Sequence, residues 1–471
     1  ERVEGLSNPE TLRAICREHA PPDVRCALRA AEHVDYSAVA RIKLAVLRAL
    51  FEAFRRDEAG SVAAASFSRF QASTEGLRTH STYQSIQLAL HTADPSVWGW
   101  PCWPAPLRDP GSPEVAAWQQ ANAEEIAFHE FLEWQARLQW QRVRARARVA
   151  GVALYGDLAL GADRGGSEVW GAQDDYALAI STGCPPDDFN LQGQDWGLPP
   201  YRPNRLRATA CAPFRTAIEA GMAQFDALRL DHVMSLMRLF WIPAGGTPAL
   251  GAYIDYPFDS LLATLKIESV RHRCMVIGED LGTVPPAVRE GLASAEVLSY
   301  RLLVFERDAA THFRRPDAYP RLALAALGSH DLSPLQGWWT GDDLALRERL
   351  GLLDRNQFER FSWDRGEARQ GLLATLAEIG LLPEGASTEA GRYPMLPPDL
   401  VEAVHAFLAR TESMWAMVNA EDAFDLVDAT NLPGTTDEHP NWRRKVPVPI
   451  EDWAPHPRLS AIARTMRDGG R

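Results

Sequence analysis

Cysteine is scarce in this chain: six in 471 residues, at Cys16, Cys26, Cys102, Cys184, Cys211 and Cys274, scattered and never in a CxxC pair. That excludes a disulfide framework or a cysteine zinc site and fits reduced thiols in a cytoplasmic protein. No run approaches the roughly 18 apolar residues of a membrane span, and no signal-peptide pattern opens the chain. Positive charge is in deficit, with 49 Lys and Arg against 62 Asp and Glu and a formal charge of −13. Phosphates would be repelled, so neither a nucleic acid nor an anionic membrane is expected as partner. The basic Arg443-Arg444-Lys445 is too short to reverse that. Gly165-Gly166-Ser167 lacks the GxxxxGK[ST] pattern of a phosphate loop. There is no internal repeat and no low-complexity tract. What remains is a chain 46% hydrophobic, ample for a sizeable core. Glu1 rather than Met opens it, so a piece of a longer product is expected.

Residues 1–57 read as helical, with Ser37 as N-cap and Val39, Ile42, Val46, Leu50 and Phe54 in one apolar stripe. The Trp- and Pro-rich stretch 92–113 reads as irregular. Ser112-Pro113-Glu114 then opens a long helix to about Ala147, with serine as cap and proline at the first helical position. From there short apolar runs alternate with helical segments: 152–155, 227–230, 275–277, 297–305 and 322–327. Such alternation predicts βα units and a parallel sheet, hence an α/β fold. The Gly- and Pro-rich stretch 161–203 is too long for an ordinary connection and is expected to be a functional loop. Residues 341–420 read as helical and the tail from Asn431 as an extended, Pro-rich end. The expected organisation is a helical region over 1–150, a sheet core over 151–340 and a helical closing region over 341–471.

Three of the apolar runs end on acids: Asp231 in Leu228-Arg229-Leu230-Asp231-His232, Glu279 in Val276-Ile277-Gly278-Glu279-Asp280, and Asp331 in Gly328-Ser329-His330-Asp331. In a barrel of parallel strands the carboxyl ends carry the chemistry. Acids converging there suit glycosidic-bond chemistry, with one carboxylate attacking the sugar, one acid protonating the leaving oxygen and a third steadying positive charge. Arg229, two residues before Asp231, leaves the strand on the same face and would keep Asp231 ionised. Partial burial and the charges of Asp280 and Asp231 would keep Glu279 protonated. The plainer reading of any one acid is a helix cap, and of His232 or His330 a core histidine.

These segments resemble the 4-α-glucanotransferases (amylomaltases, or disproportionating enzymes) of glycoside hydrolase family 77, in particular the bacterial maltodextrin-utilisation type. The matching segments are GDLALG at 156–161, PPDDFNLQGQDWGLPPY at 185–201, RLDHVMSLMRLFWIPAG at 229–245, RHRCMVIGEDLGTVP at 271–285, GSHDL at 328–332 and NLPGTTDEHPNWRRK at 431–445. They follow the family order through most of the chain. The resemblance implies a (β/α)8 TIM-type barrel with helical insertions. Upstream of the matched region the family has opening barrel strands and a Ser-Pro-Tyr-Ser-Pro segment, found in none of these 471 residues, so an N-terminally truncated barrel is expected.

The resemblance also implies roles. Asp231 would be the nucleophile, Glu279 the general acid and base, and Asp331 the stabiliser of the oxocarbenium-like transition state. Arg229, His232, His330, Asp157 and Asn431 would line the donor sugar. Asp187, Gln194 and Trp196 would cover the acceptor side. Asp280 is grouped with the substrate-binding residues, although its plainer readings are a residue that supports the catalytic groups from behind or one at a helix start. The implied reaction moves an α-1,4-glucan segment between maltodextrins, or to glucose, with starch or glycogen as the parent polymer and with no metal or organic cofactor. Transfer requires water to be excluded, and the aromatics of 161–203 are the expected lid, with Trp196 and Trp170 as sugar platforms. The alternatives are an α-glucan hydrolase of the α-amylase clan and an inactive glucan-binding fragment.

Overall fold

A computed structural model describes residues 9–57, 60–186, 192–282, 284–309 and 312–471. The described residues hold twelve strands: β1 (Tyr155–Leu158), β2 (Ile180–Cys184), β3 (Gln194–Asp195), β4 (Ala227–Leu230), β5 (Arg238–Pro243), β6 (Ala252–Asp255), β7 (Met275–Gly278), β8 (Leu298–Leu302), β9 (Arg307–Ala309), β10 (His312–Phe313), β11 (Ala323–Ala326) and β12 (Trp415–Met417). Six of them form one all-parallel sheet whose order, β1-β4-β7-β8-β11-β12, is also the order in sequence. The fold is thus α/β and of TIM-barrel type. Its edges approach each other, for the rings of Tyr155 on β1 and Trp415 on β12 meet edge-on with centroids 6.1 Å apart.

Every residue of β4 and of β11 is buried, as expected of strands covered on both faces. Alternation along the strands divides two cores. Leu228, Leu230 and Val276 face the helices Ala212–Met222 and Phe258–His272, packing with Ile218, Met222, Leu261 and Leu265. Ala227, Ile277, Leu298, Tyr300, Leu302, Leu324 and Ala326 gather on the other, inner face. Beyond β11, Leu372, Leu376, Val404 and Phe407 of helices Arg355–Glu378 and Pro398–Ala409 pack against Ala325 and Leu327.

Ahead of β1 the described chain is helical. Phe51, Phe54, Phe67, Phe131 and Trp134 form an aromatic core there. The cap of helix Tyr36–Asp57 is Asp35, whose carboxylate accepts the Ala38 N–H at 2.9 Å, rather than Ser37. Ser112 caps its helix as expected. That helix breaks at Asn122 into Pro113–Ala121 and Ala123–Val149. β1 begins later than its apolar run, which puts Asp157 inside the strand and not after it.

Two further differences concern loops. The stretch 161–203 is not irregular throughout: it holds the helix Ser167–Gly171, and its strands β2 and β3 join β5 and β6 in an antiparallel sheet of order β3-β2-β5-β6. A Cβ on Gly183 of β2 would lie 1.9 Å from the Gln194 carbonyl of β3, so only glycine admits that approach. The tail from Asn431 ends in a helix, Pro457–Asp468.

Candidate active site

Strand register assembles the acids. Asp157, Arg229 and Ile277 lie side by side on β1, β4 and β7, and Asp231 and Glu279 follow directly after the paired Leu230 and Gly278. Backbone bonds extend the ladder one step, from Asp231 N–H to the Leu158 carbonyl (3.1 Å) and from Glu279 N–H to the Leu230 carbonyl (3.0 Å). By two-residue alternation Arg229 and Asp231 share the inner face with Ala227, and Glu279 shares it with Ile277.

Arg229, 5% exposed, is the hub of the group. One terminal nitrogen pairs with Asp157 at 2.7 Å and the other with Asp231 at 2.9 Å. Burial alone opposes its charge, but Asp157 and Asp231 outweigh that and raise its pKa above the ordinary value. Its guanidinium also lies 5.6 Å from the ring of Tyr300 on β8.

Glu279 has a different environment. It is 8% exposed, whereas the Asp231 and Asp331 side chains are 37% and 36% exposed. Burial drives its pKa up to about 7; Asp231 adds to the rise, while Arg229 and the N–H groups of Leu281 and His232 hold it back. One carboxyl oxygen accepts the Leu281 N–H at 2.7 Å and the other accepts the His232 N–H at 3.0 Å. The second bond ties Glu279 to the residue next to Asp231. It depends on a left-handed backbone at His232, φ 48°, a conformation that side chains other than glycine seldom adopt. Gly278 leaves room for this turn, since a Cβ there would press on Val233 at 3.0 Å. Burial keeps the His232 imidazole neutral by lowering its pKa to about 4, against the pull of Asp231.

Asp331 arrives on the loop after β11. Its carboxylate accepts the Asn431 side-chain amide at 2.7 Å and lies 3.4 Å from His330 Nε2. Asn431 is fixed in turn by its N–H on the His330 carbonyl, 3.0 Å. Tyr300 links the halves of the site. Burial pushes its hydroxyl pKa up to about 12, and its charge partners are Arg229, Asp157, Glu279 and Asp331. Nothing in the sequence singles out Tyr300, because a tyrosine inside an apolar strand has the ordinary look of β-structure.

Trp196 also reaches the site. Its ring meets that of His232 with centroids 5.3 Å apart, and its indole N–H donates to the Gln194 side-chain oxygen at 2.9 Å. Asp187 lies outside the described residues. Two expectations need correction. Trp170 is fully buried with Tyr83, Trp103 and Tyr176 and presents no face to a ligand. Asp280 is 4% exposed and is taken up by the Tyr300 N–H (2.9 Å) and by Arg301 (3.4 Å), so it ties β7 to β8 in place of binding substrate. Nor does it start a helix, which begins at Pro286. Away from this group, Glu219, Glu268 and His272 converge on the outer helices, where Glu268 pairs with Arg271 at 2.6 Å and lies 3.6 Å from His272.

Comparison with known proteins agrees along nearly the whole length. A family model described as 4-alpha-glucanotransferase matches residues 9–450. A 4-alpha-glucanotransferase of Haemophilus influenzae is 36% identical over 435 residues, covering 90% of this chain and 62% of that protein. Another, of Mycobacterium tuberculosis, is 36% identical over 381 residues, covering 78% of this chain and 51% of its own length. The crystal structure of amylomaltase from Corynebacterium glutamicum matches with a TM-score of 0.83 at 30% identity, over 99% of this chain and 65% of that one. The chain therefore spans about half to three-fifths of the length of the curated relatives it matches. On the family match, the chain belongs to the 4-α-glucanotransferases of glycoside hydrolase family 77.

Proposed function

We propose that this chain carries the catalytic centre of a retaining 4-α-glucanotransferase. Asp231 is the nucleophile, Glu279 the acid and base, and Asp331 the group that steadies positive charge on the sugar. The observation that carries this reading is the pair of contrasting carboxyls. Asp231 is half-exposed and paired with Arg229, whereas Glu279 is buried, has its pKa raised to about 7 by that burial, and is bonded to the N–H that follows Asp231.

In the first step Glu279 gives its proton to the glycosidic oxygen as the bond from C1 to that oxygen breaks. Asp231 attacks C1 from the other side, forming a glycosyl ester, and the leaving segment departs with a free 4-hydroxyl. In the second step an incoming sugar 4-hydroxyl attacks C1. Glu279, now a carboxylate, takes its proton and the ester to Asp231 breaks. Two inversions retain the α configuration. Asp157 and His330 bind sugar hydroxyls, and Asn431 orients Asp331. Trp196, Gln194 and Asp187 serve the acceptor side, where a bound sugar competes with water for the ester.

The substrates are α-1,4-glucans and maltooligosaccharides, with glucose or a maltodextrin as acceptor. A cytoplasmic setting fits the six free cysteines. Incubation with maltotriose tests the reading. Transfer yields glucose together with a ladder of longer oligosaccharides. Release of reducing ends without longer products would reject transfer in favour of hydrolysis.

A further inference from the structure

The loop that carries Asn431 also carries an aromatic residue in a conformation that needs explaining. Trp442 has φ 59°, in the left-handed region that bulky residues rarely occupy. The protein pins the backbone there from several sides. The Trp442 N–H donates to the Thr430 carbonyl at 2.9 Å, and the Tyr36 hydroxyl donates to the Trp442 carbonyl. The next residue is fastened as well, because the Val34 N–H donates to the Arg443 carbonyl at 2.8 Å and Arg443 Nε donates to the Val34 carbonyl at 3.2 Å. This costly local geometry does not bury the indole, which remains 51% exposed. It brings the ring against His330, with centroids 5.1 Å apart, and His330 in turn lies 3.4 Å from Asp331.

A strained backbone that holds a large ring half in solvent beside an acid cluster serves that cluster better than it serves the core. We infer that Trp442 is a sugar-binding platform at the Asp331 edge of the site, taking the apolar face of a pyranose ring of an α-1,4-glucan while His330 and Asp331 meet its hydroxyls. The inference rests on the proposed function for its choice of ligand. It adds a specificity-determining residue whose position is set by the segment around residues 34–36.

The test separates binding from turnover. Maltotetraose affinity is measured by calorimetry on Glu279→Gln, and again after Trp442→Gly or Trp442→Phe is added to it. Glycine suits φ 59° without strain, so Trp442→Gly removes the ring while easing the backbone. The expected result is an affinity about tenfold weaker for the glycine variant, with a circular dichroism spectrum and melting temperature close to the parent, and recovery of most of the affinity with phenylalanine. An affinity within about twofold of the parent for a folded glycine variant would overturn the inference. Should Trp442→Gly fail to fold, Trp442→Leu against Trp442→Phe decides it. Weaker binding by leucine alone supports the platform, and equal binding refutes it. Failure of the wild type to make longer products from maltotriose would count against the proposed reaction, while the affinity comparison would still decide the role of Trp442.

Discussion

At the scale of single residues, two carboxyl groups of one site stand in different surroundings. Asp231 and Glu279 follow strands of the same register, yet one pairs with Arg229 in a solvent-accessible position and the other is buried. Replacing either should remove most turnover. Asp231→Asn and Glu279→Gln are each expected to lower kcat on maltotriose by about a thousandfold. Asp331→Asn should cost kcat more than it costs glucan binding. Glu279 also sets a pH dependence. As the proposed acid it must be protonated, so kcat/KM should fall as pH rises through about 7, and a pH profile measures this. Stability carries the same sign. Between the ordinary 4.5 and about 7 the folded state binds more protons at Glu279 than the unfolded chain does, so this group's contribution is lost as pH rises through that window. The acids could be read from sequence because each directly follows or soon succeeds an apolar run. Tyr300, Trp442 and the burial of Trp170 could not be, since composition does not say which side of an aromatic ring will face solvent.

At the scale of elements, the buried strands were legible because covering both faces favours near-continuous apolar runs, and β4, β7 and β11 lie within a residue of where those runs put them. The antiparallel sheet of β2, β3, β5 and β6 was not. Its pairing joins residue 183 to 195 and 240 to 253, and β2 (Ile-Ser-Thr-Gly-Cys) and β3 (Gln-Asp) are too short and too polar to show a period that betrays it. This sheet positions Trp196, whose N–H donates to the Thr182 carbonyl on β2 at 2.9 Å. Gly183→Ala would force the Gln194 carbonyl away. A loss of about 1–3 kcal/mol is expected in denaturant unfolding, together with a higher KM for the acceptor sugar. An unchanged KM would separate that sheet from acceptor binding.

At the scale of the whole molecule, the helical region before β1 and the loop after Asn431 hold each other in place. Lys445 Nζ donates to the carbonyls of Leu28 (2.7 Å) and Ala31 (2.7 Å) at the end of helix Pro22–Ala30. Sequence alone gave no pointer to this contact, which spans more than four hundred residues. Lys445→Met should lower stability by about 1–3 kcal/mol through the unpaired carbonyls, and glucan affinity should fall with it because the Asn431 and Trp442 loop loosens. Thermal unfolding and calorimetry on the same variant check both. The proposed reaction places two acids about one sugar carbon. The most direct test uses α-maltosyl fluoride with the Glu279→Gln variant, whose fluoride leaving group needs no acid, followed by peptide mass mapping. A single maltosyl adduct is expected on the peptide that contains Asp231 and on no other; an adduct on Asp331, or none on a folded protein, would overturn the assignment of Asp231 as nucleophile.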